Sequence, residues 1–331
     1  MSSNTLVSVV VPAYNAEATI DETLRSVRAQ THAALEILVV DDGSRDATLA
    51  MAERHAAQDS RIRIVRQANA GVAAARNTGW SQAKADLIAF VDADDLWAPD
   101  KIARQLAVME ARGPGVGLVY GWSAKIDAKG CITDEREQPL IEGNVLARLC
   151  RGNFIGNGSS ALVRRQALID AGGFEPGLRA AGAQGCEDIL FYARVAERHA
   201  FALVPDHLTG YRYLPGNMSS DLVRMLRSWT LVMDEIGGRH PELAGDLRAG
   251  LRSYGLWLAM RALAIGKPVH FVRAFGLLAR RDRALAAGVL ARDLPTALAK
   301  LAGRHARRSI ARWRRGRMRC RARLFLPEAG R

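Results

Sequence analysis

The sequence predicts an α/β protein with a mostly parallel central sheet flanked by helices, followed by an α-helical appendage. Three observations carry that expectation. Over the first half, short apolar runs alternate with amphipathic stretches, the pattern of βαβ units. Clusters of polar residues sit where those runs end, and the carboxyl edge of an open α/β sheet is where ligands bind. Beyond about Ser220 the strand signals stop, and an Ala-, Leu- and Arg-rich stretch of helical period takes over, punctuated by Pro241, Pro268 and Pro295.

In order, Leu6–Val11 is an apolar run broken only by Ser8 and reads as a buried strand. Pro12 stops it. Asn15 is placed to cap a helix whose apolar face is Ile20, Leu24 and Val27. Leu35–Val40 is the second strand, ending in the turn-forming Asp41-Asp42-Gly43-Ser44 before a helix over about 47–57. Ile62–Arg66 is a third strand, 71–83 a helix, and Leu87–Val91 a fourth strand ending on Asp92-Ala93-Asp94-Asp95. Pro99 suits the first turn of the next helix, and Val116–Trp122 is a fifth strand.

The pattern then loosens. A hairpin is expected around Ala128-Lys129-Gly130, a strand over 159–163, and a short helix closed by Gly172-Gly173. A helix over 187–199 follows, with Ile189, Ala193 and Ala196 on one face. Phe201–Val204 and Leu208–Tyr213 read as closing strands. The resulting domains are 1–220, a helical region 221–299 and a basic amphipathic tail 300–331.

Composition narrows the classes. The 331 residues suffice for a buried core without cross-links. Cys131, Cys150, Cys186 and Cys320 are scattered with no CxxC pair, which argues for a reducing compartment and against a zinc site or disulfide framework. No signal peptide is legible at the N-terminus and no apolar run approaches a membrane span; the longest, 254–265, is broken by Arg261. A cytoplasmic location is expected. Of the net charge of +13, eleven positive charges and no acid lie between Lys300 and Arg323, so the first 299 residues carry a net of only +2. With Ile310, Trp313, Met318, Leu324 and Phe325 interleaved, the tail suits an anionic membrane face, on the inner side of the plasma membrane; the alternative is a solvated end. No nucleic-acid motif accompanies it, and nucleic acid is not an expected partner.

The chemistry lies in the clusters. Carboxylates spaced as in Asp92-Ala93-Asp94 at a strand end are hard oxygen ligands suited to Mg²⁺ or Mn²⁺, which would bridge the phosphates of a nucleotide. Asp41 and Asp42 are candidates for binding base and ribose, or for turn chemistry. Arg76, in the helix after Asn69-Ala70-Gly71, could pair with a diphosphate. Pro12-Ala13-Tyr14-Asn15 forms a loop able to edge a base. Glu187-Asp188 opens a helix, where the macrodipole alone favours carboxylates, or one of them is a general base. A phosphatase with a D-x-D nucleophile fits poorly, because here the pair follows the fourth strand and precedes Asp95 and Leu96. A dinucleotide enzyme fits poorly too, since no G-x-G-x-x-G follows the first strand.

The ordered set Val7–Asn15, Val40–Ser44, Asn69–Gly71 with Ala75-Arg76-Asn77, and Val91–Asp95, extended by Gly172-Gly173-Phe174 and Glu187-Asp188, resembles glycosyltransferase family 2 over about residues 5–215. The resemblance implies a Rossmann-like GT-A fold and inverting transfer from a UDP- or other nucleotide-activated sugar to a saccharide or lipid-linked acceptor, in the synthesis of a cell-surface polysaccharide. It places Pro12, Tyr14, Asp42 and Arg76 in the nucleotide pocket, gives the metal to Asp94 with Asp92 or Asp95, makes Asp188 the base and sets Glu187 beside a sugar. The presence of Asp188 speaks against a binding protein that kept the fold and lost activity. Many members follow the last strand with Tyr-Arg-x-His, whose histidine can help hold the metal. Here Tyr211-Arg212-Tyr213 leads to Leu214, which cannot ligate, and His207 is a possible substitute. Phe154–Ser160 resembles the acceptor-side segment.

Overall fold

The computed structural model describes residues 4–213, 221–264, 266, 268–300 and 324–326. A nine-stranded sheet forms its centre: β1 (Val7–Ala13), β2 (Leu35–Asp41), β3 (Ile62–Arg66), β4 (Leu87–Phe90), β5 (Leu96–Trp97), β6 (Val116–Ile126), β7 (Ile132–Asp134), β8 (Ala161–Arg164) and β9 (Ala200–Arg212). The order is β3-β2-β1-β4-β8-β6-β9-β5, with β7 on β6. The first four strands are parallel, as the sequence predicts. The other half is mixed: β8 runs antiparallel to both β4 and β6, while β6 and β9 are parallel.

β1 lies between β2 and β4, so the chain leaves it in opposite directions and opens a crevice at its carboxyl end. Its residues are buried on both faces. Val7, Val9 and Val11 join one apolar cluster with Ile20, Leu24 and Val27 of α1 (Ile20–Arg28); Val10 joins the other. Ser8 is tolerated at the centre because its hydroxyl donates to Glu36 at 2.7 Å and accepts from the Ala85 amide.

Helices α2 (Thr48–Gln58), α3 (Val72–Gln82) and α4 (Lys101–Arg112) fall where the periodicity places them. Between β6 and β9 come α5 (Leu146–Arg151), α6 (Arg165–Asp170), α7 (Gly177–Ala180) and α8 (Glu187–Ala196). Gly172 and Gly173, at φ +70° and +71°, close α6 through amides that donate to Ile169 and Leu168 carbonyls. The two expected closing strands are one strand, β9. Pro205 has no amide to give the ladder, and the register with β6 slips from Gly121–Val204 to Trp122–His207, a bulge within a continuous strand.

The helical region comprises α9 (Leu222–Arg239), α10 (Ala244–Ala264), α11 (Pro268–Arg281) and α12 (Arg283–Gly288). The three longest have 18, 21 and 14 residues, where short helices were expected; the prolines at 241 and 268 begin segments, as predicted. These helices share one apolar cluster with α5 and α8 on a face of the sheet. Among the described residues no helix is long and apolar enough to cross a membrane. Cys131, Cys150 and Cys186 are unpaired thiols. The basic tail lies outside the described residues apart from Lys300 and 324–326, as does Leu214.

Candidate active site

The carboxyl edge of β1, β2 and β4 opens into a cavity of about 1370 Å³ that runs from the sheet to α9 and α10. Pro12, Ala13, Tyr14 and Asn15 form one lip. Tyr14 is half exposed, a free aromatic face at the mouth. Asn15 does not cap α1, which starts only at Ile20 with Thr19 before it. Instead Asn15 sits at φ +48°, its amide donating to the Ser44 hydroxyl and its side-chain oxygen accepting from the Arg45 amide. The asparagine staples the first loop to the second, and the left-handed conformation is one that Asn tolerates.

Asp41 and Asp42 part company. Asp41 accepts the Ser44 amide and lies off the cavity wall, which is turn chemistry. Asp42 is buried on the wall and accepts from the Ala70 and Gly71 amides, each at 2.8 Å, and from Gln67 at 2.7 Å. Three of about four lone-pair positions are thereby filled, leaving one for a ligand. Asp42 thus fixes the Gln67–Gly71 loop and shapes the pocket edge together.

The acidic turn divides similarly. Asp92 and Asp94 face the cavity. Asp95 is fully buried and turned inward, accepting from the Ser159 hydroxyl at 2.5 Å and the Arg212 amide at 2.9 Å. Burial first, then the charge of Asp92, pushes the Asp94 carboxyl up to about 6; burial and both neighbouring carboxylates hold Asp95 well above the ordinary range. A cation would relieve that repulsion. The turn is braced by residues with no such role legible in the sequence, Ser159 of the Phe154–Ser160 segment among them. Ser159 accepts the Asp92 amide as well as donating to Asp95, Thr23 donates to the carbonyls of Ala93 and Asp95, and the buried Arg212 donates to the Asp94 carbonyl and pairs with Glu22. No spacing signal marks Ser159 or Thr23. Arg212 stands in the Tyr-Arg pair that drew notice only for the position two residues later.

Arg76, 4% exposed, reaches across the cavity floor to Asp92 at 2.5 Å and lies over the Phe174 ring. Burial works against its charge, yet Asp92 and then Asp188 raise its pKa. Its Nε finds no hydrogen-bond partner among the described residues. A Cβ on residue 158 would fall 2.2 Å from its guanidinium, so glycine there leaves the arginine its room. On the far wall, Asp188 accepts from Asn153 at 3.0 Å and from the Ile189 amide. Burial raises its pKa, with Asp92 adding and Arg76 opposing. Glu187 accepts the Gly185 amide from the loop before α8, and burial raises its carboxyl too. Phe154–Gly158 lines the wall beside them. His207 does not: its ring packs on Trp122 and its Nε2 meets the Arg136 carbonyl, away from the cavity.

No group of three or more acidic, histidine or cysteine side chains that could hold a metal occurs among the described residues. Asp92 and Asp94, the two carboxylates of the acidic turn that face the cavity, still suit Mg²⁺ or Mn²⁺, because such ions take one or two protein carboxylates and complete their shell with phosphate oxygens and water.

Fold and site together define an α/β protein with a cavity at the switch point of its sheet and carboxylates on the wall. Residues 8–172 match the model of glycosyl transferase family 2, and the chain belongs to that family, with its GT-A fold. It is 43% identical over 117 residues to the Escherichia coli UDP-Glc:α-D-GlcNAc-diphosphoundecaprenol β-1,3-glucosyltransferase WfgD, covering 35% of this chain and 45% of that protein. The matches to the curated relatives span a quarter to under half of their length. Staphylococcus aureus TarS 1–349 in complex with UDP-GlcNAc superposes with a TM-score of 0.64 at 19% identity, covering 88% of this chain and 89% of that one. The mannosyltransferase PcManGT from Pyrobaculum calidifontis, in complex with GDP-Man and Mn²⁺, gives 0.56 at 23% identity, covering 88% and 80%.

Proposed function

We propose that the protein is an inverting glycosyltransferase that moves a sugar from a nucleotide donor, UDP-linked, to a hydroxyl of a saccharide or lipid-linked acceptor in polysaccharide synthesis. The observation that carries it is the convergence of Asp42, Arg76, Asp92, Asp94 and Asp188 on one cavity at the sheet's switch point. The UDP-GlcNAc held by TarS and the UDP-glucose and diphosphoundecaprenol acceptor in WfgD's name support the choice of substrates; the Mn²⁺ of PcManGT supports a metal.

In this reading Pro12, Ala13, Tyr14 and Asn15 edge the base with Asp42, and Arg76 faces the diphosphate. Asp92 and Asp94 hold the ion, with Asp95 as the strut behind them. A bound Mg²⁺ or Mn²⁺ supplies charge neutralisation on the departing diphosphate. Asp188 takes the proton of the acceptor hydroxyl as its oxygen attacks the anomeric carbon, and the bond to the diphosphate breaks on the opposite face. One displacement inverts the centre, so one base suffices. Glu187, beside it, touches the sugar. Asp41 serves the turn that carries Asp42.

Thermal shift with a panel of nucleotide-sugars, with and without Mn²⁺, tests the donor site. Stabilisation by a UDP-sugar that depends on the metal is expected, and its absence across the panel overturns the reading. The basic tail would hold the enzyme on an anionic membrane face, near a lipid-linked acceptor. Flotation with anionic vesicles should lose the full chain once the arginines from 304 to 323 become glutamine; equal binding removes that role.

A further inference from the structure

The cavity is larger than one small ligand needs, since such pockets span about 300–1000 Å³, and this one is about 1370 Å³. Its far end is made by the helical region. There Trp229 and Tyr254 stack at 4.3 Å with an 11° interplanar angle, and Trp257 continues the row at 5.2 Å from Tyr254. All three rings line the cavity. Trp257 is 38% exposed, an accessible aromatic face inside a concave wall. Polar residues line the same cavity: Ser253 from α10, and Arg151 and Asn153 from α5 and the loop after it.

The row is fixed relative to the proposed base. The Tyr254 hydroxyl donates to the Met225 carbonyl and lies 3.9 Å from the Cys186 sulfur, at the N-cap of α8. The Cys186 amide donates to Ser228 of α9. On the other side, a Cβ on residue 250 would stand 1.9 Å from the Cys150 carbonyl oxygen, so Gly250 lets α10 seat directly on α5. Helices α9 and α10 therefore clamp the start of the helix that bears Glu187 and Asp188, and hold three aromatic rings beside it.

Pyranose rings present a flat face of C–H bonds whose hydrogens suit the negative face of an aromatic ring, while their hydroxyls need polar partners around the rim. Rings within a polar-edged cavity provide both. We infer that α9 and α10 build an acceptor subsite, in which a saccharide ring stacks on the exposed face of Trp257, backed by Tyr254 and Trp229, while a hydroxyl of the acceptor reaches Asp188. This rests on the glycosyltransferase reading above and adds that the acceptor carries a sugar ring held by the helical region. An acceptor with two sugar rings gains a contact that a one-ring acceptor lacks.

The test uses the full chain labelled with 5-fluorotryptophan, with UDP and Mn²⁺ present, and a Trp257→Phe variant to assign the Trp257 fluorine resonance. The probes are disaccharides of glucose, galactose, mannose and N-acetylglucosamine, the matching monosaccharides, and octyl glucoside below its micellar concentration. The Trp257 resonance should move with at least one disaccharide, more weakly with its monosaccharide; by calorimetry, since both substitutions delete that resonance, Trp257→Ala should weaken the same binding about tenfold while Trp257→Phe largely restores it. Movement by the octyl chain alone assigns the row to a lipid tail and overturns the inference, as does no movement across the panel. Metal-dependent thermal stabilisation by UDP, measured on the same samples, reports the donor half separately. Its loss in the wild type would instead sink the glycosyltransferase reading.

Discussion

The two ends of the cavity are built by opposite means. At the sheet end, charged side chains are held by backbone: Asp42 by two amides and Asp95 by the Arg212 amide. At the helical end, aromatic faces are held by packing, through Gly250 on Cys150 and the Trp229–Tyr254 stack. Backbone amides fix a carboxylate to within a narrow range of positions, which suits a diphosphate and a metal. A stacked row of rings fixes a surface rather than a point, which suits a variable acceptor. The difference teaches that one end is tuned for geometry and the other for contact area, and substitutions should separate them.

The largest effect is expected where the two ends meet. On the proposed mechanism Asp188→Asn removes the proton acceptor while keeping the Asn153 contact possible, and should lower kcat by about 10³-fold with the UDP-induced thermal shift retained. The active form is the deprotonated carboxylate, and burial raises its pKa. Activity should therefore be full at neutral pH and fall as pH drops through a value above the ordinary 3.8, giving an acid limb displaced upward in the kcat profile of the wild type. If Asp188→Asn leaves transfer intact, the base lies elsewhere and the meeting point is wrongly drawn.

Arg76→Ala comes next and acts at the sheet end. It removes the only described ion-pair partner of Asp92 and, in the proposed reading, a diphosphate contact. UDP affinity by calorimetry should fall by about 2 kcal/mol, the worth of a hydrogen bond between charged groups. Saccharide binding at the helical end should hold. Equal losses at both ends would erase the distinction between them.

How much of this was legible in the sequence follows the same division. The sheet end was readable because the carboxylates sit at strand ends, where continuous apolar runs stop at turn-formers, and Arg76 sits in the helix that follows the third such end. Asp42, Arg76, Asp92 and Asp94 were found that way, and the chain places all four on the cavity. What spacing could not show is which way each side chain turns: Asp41 and Asp95 stand in the same short motifs yet face away from the cavity. Ser159 falls in the Phe154–Ser160 segment that resembles an acceptor-side segment, but its bracing role and that of Thr23 were illegible because their partners lie 64 and 72 residues away. The aromatic row escaped because Trp229, Tyr254 and Trp257 come from two helices and carry no motif; in sequence they are simply large residues in amphipathic segments. β9 was split in two because Pro205 reads as a stop, whereas a bulge absorbs it.

The helical end can be loosened by itself. Gly250→Ala drives a methyl into the Cys150 carbonyl, so α10 must shift outward, costing about 2 kcal/mol of stability by denaturant unfolding. Because that shift carries Tyr254 and Trp257 with it, saccharide binding should weaken while the UDP–Mn²⁺ thermal increment stays. A change confined to the donor increment would mean that the helices serve the nucleotide instead.

The smallest expected effect tests the bracing of the acidic turn. Ser159→Ala deletes one hydroxyl that both donates to Asp95 and accepts from the Asp92 amide, tying the two ends of the turn. Asp95 keeps the Arg212 amide, and the turn keeps its contacts to Thr23 and to the Arg212 side chain, so collapse is not expected. The net cost should be near that of a single hydrogen bond, about 1 kcal/mol of stability. The functional consequence is more diagnostic than the cost. If Asp92 and Asp94 hold the ion and Asp95 only props them, the variant should need several-fold more Mn²⁺ for half-maximal activity, with kcat at saturating metal little changed. A loss of kcat that saturating Mn²⁺ does not restore would show instead that Ser159 serves the reacting groups directly, and the inward turn of Asp95 would need another explanation.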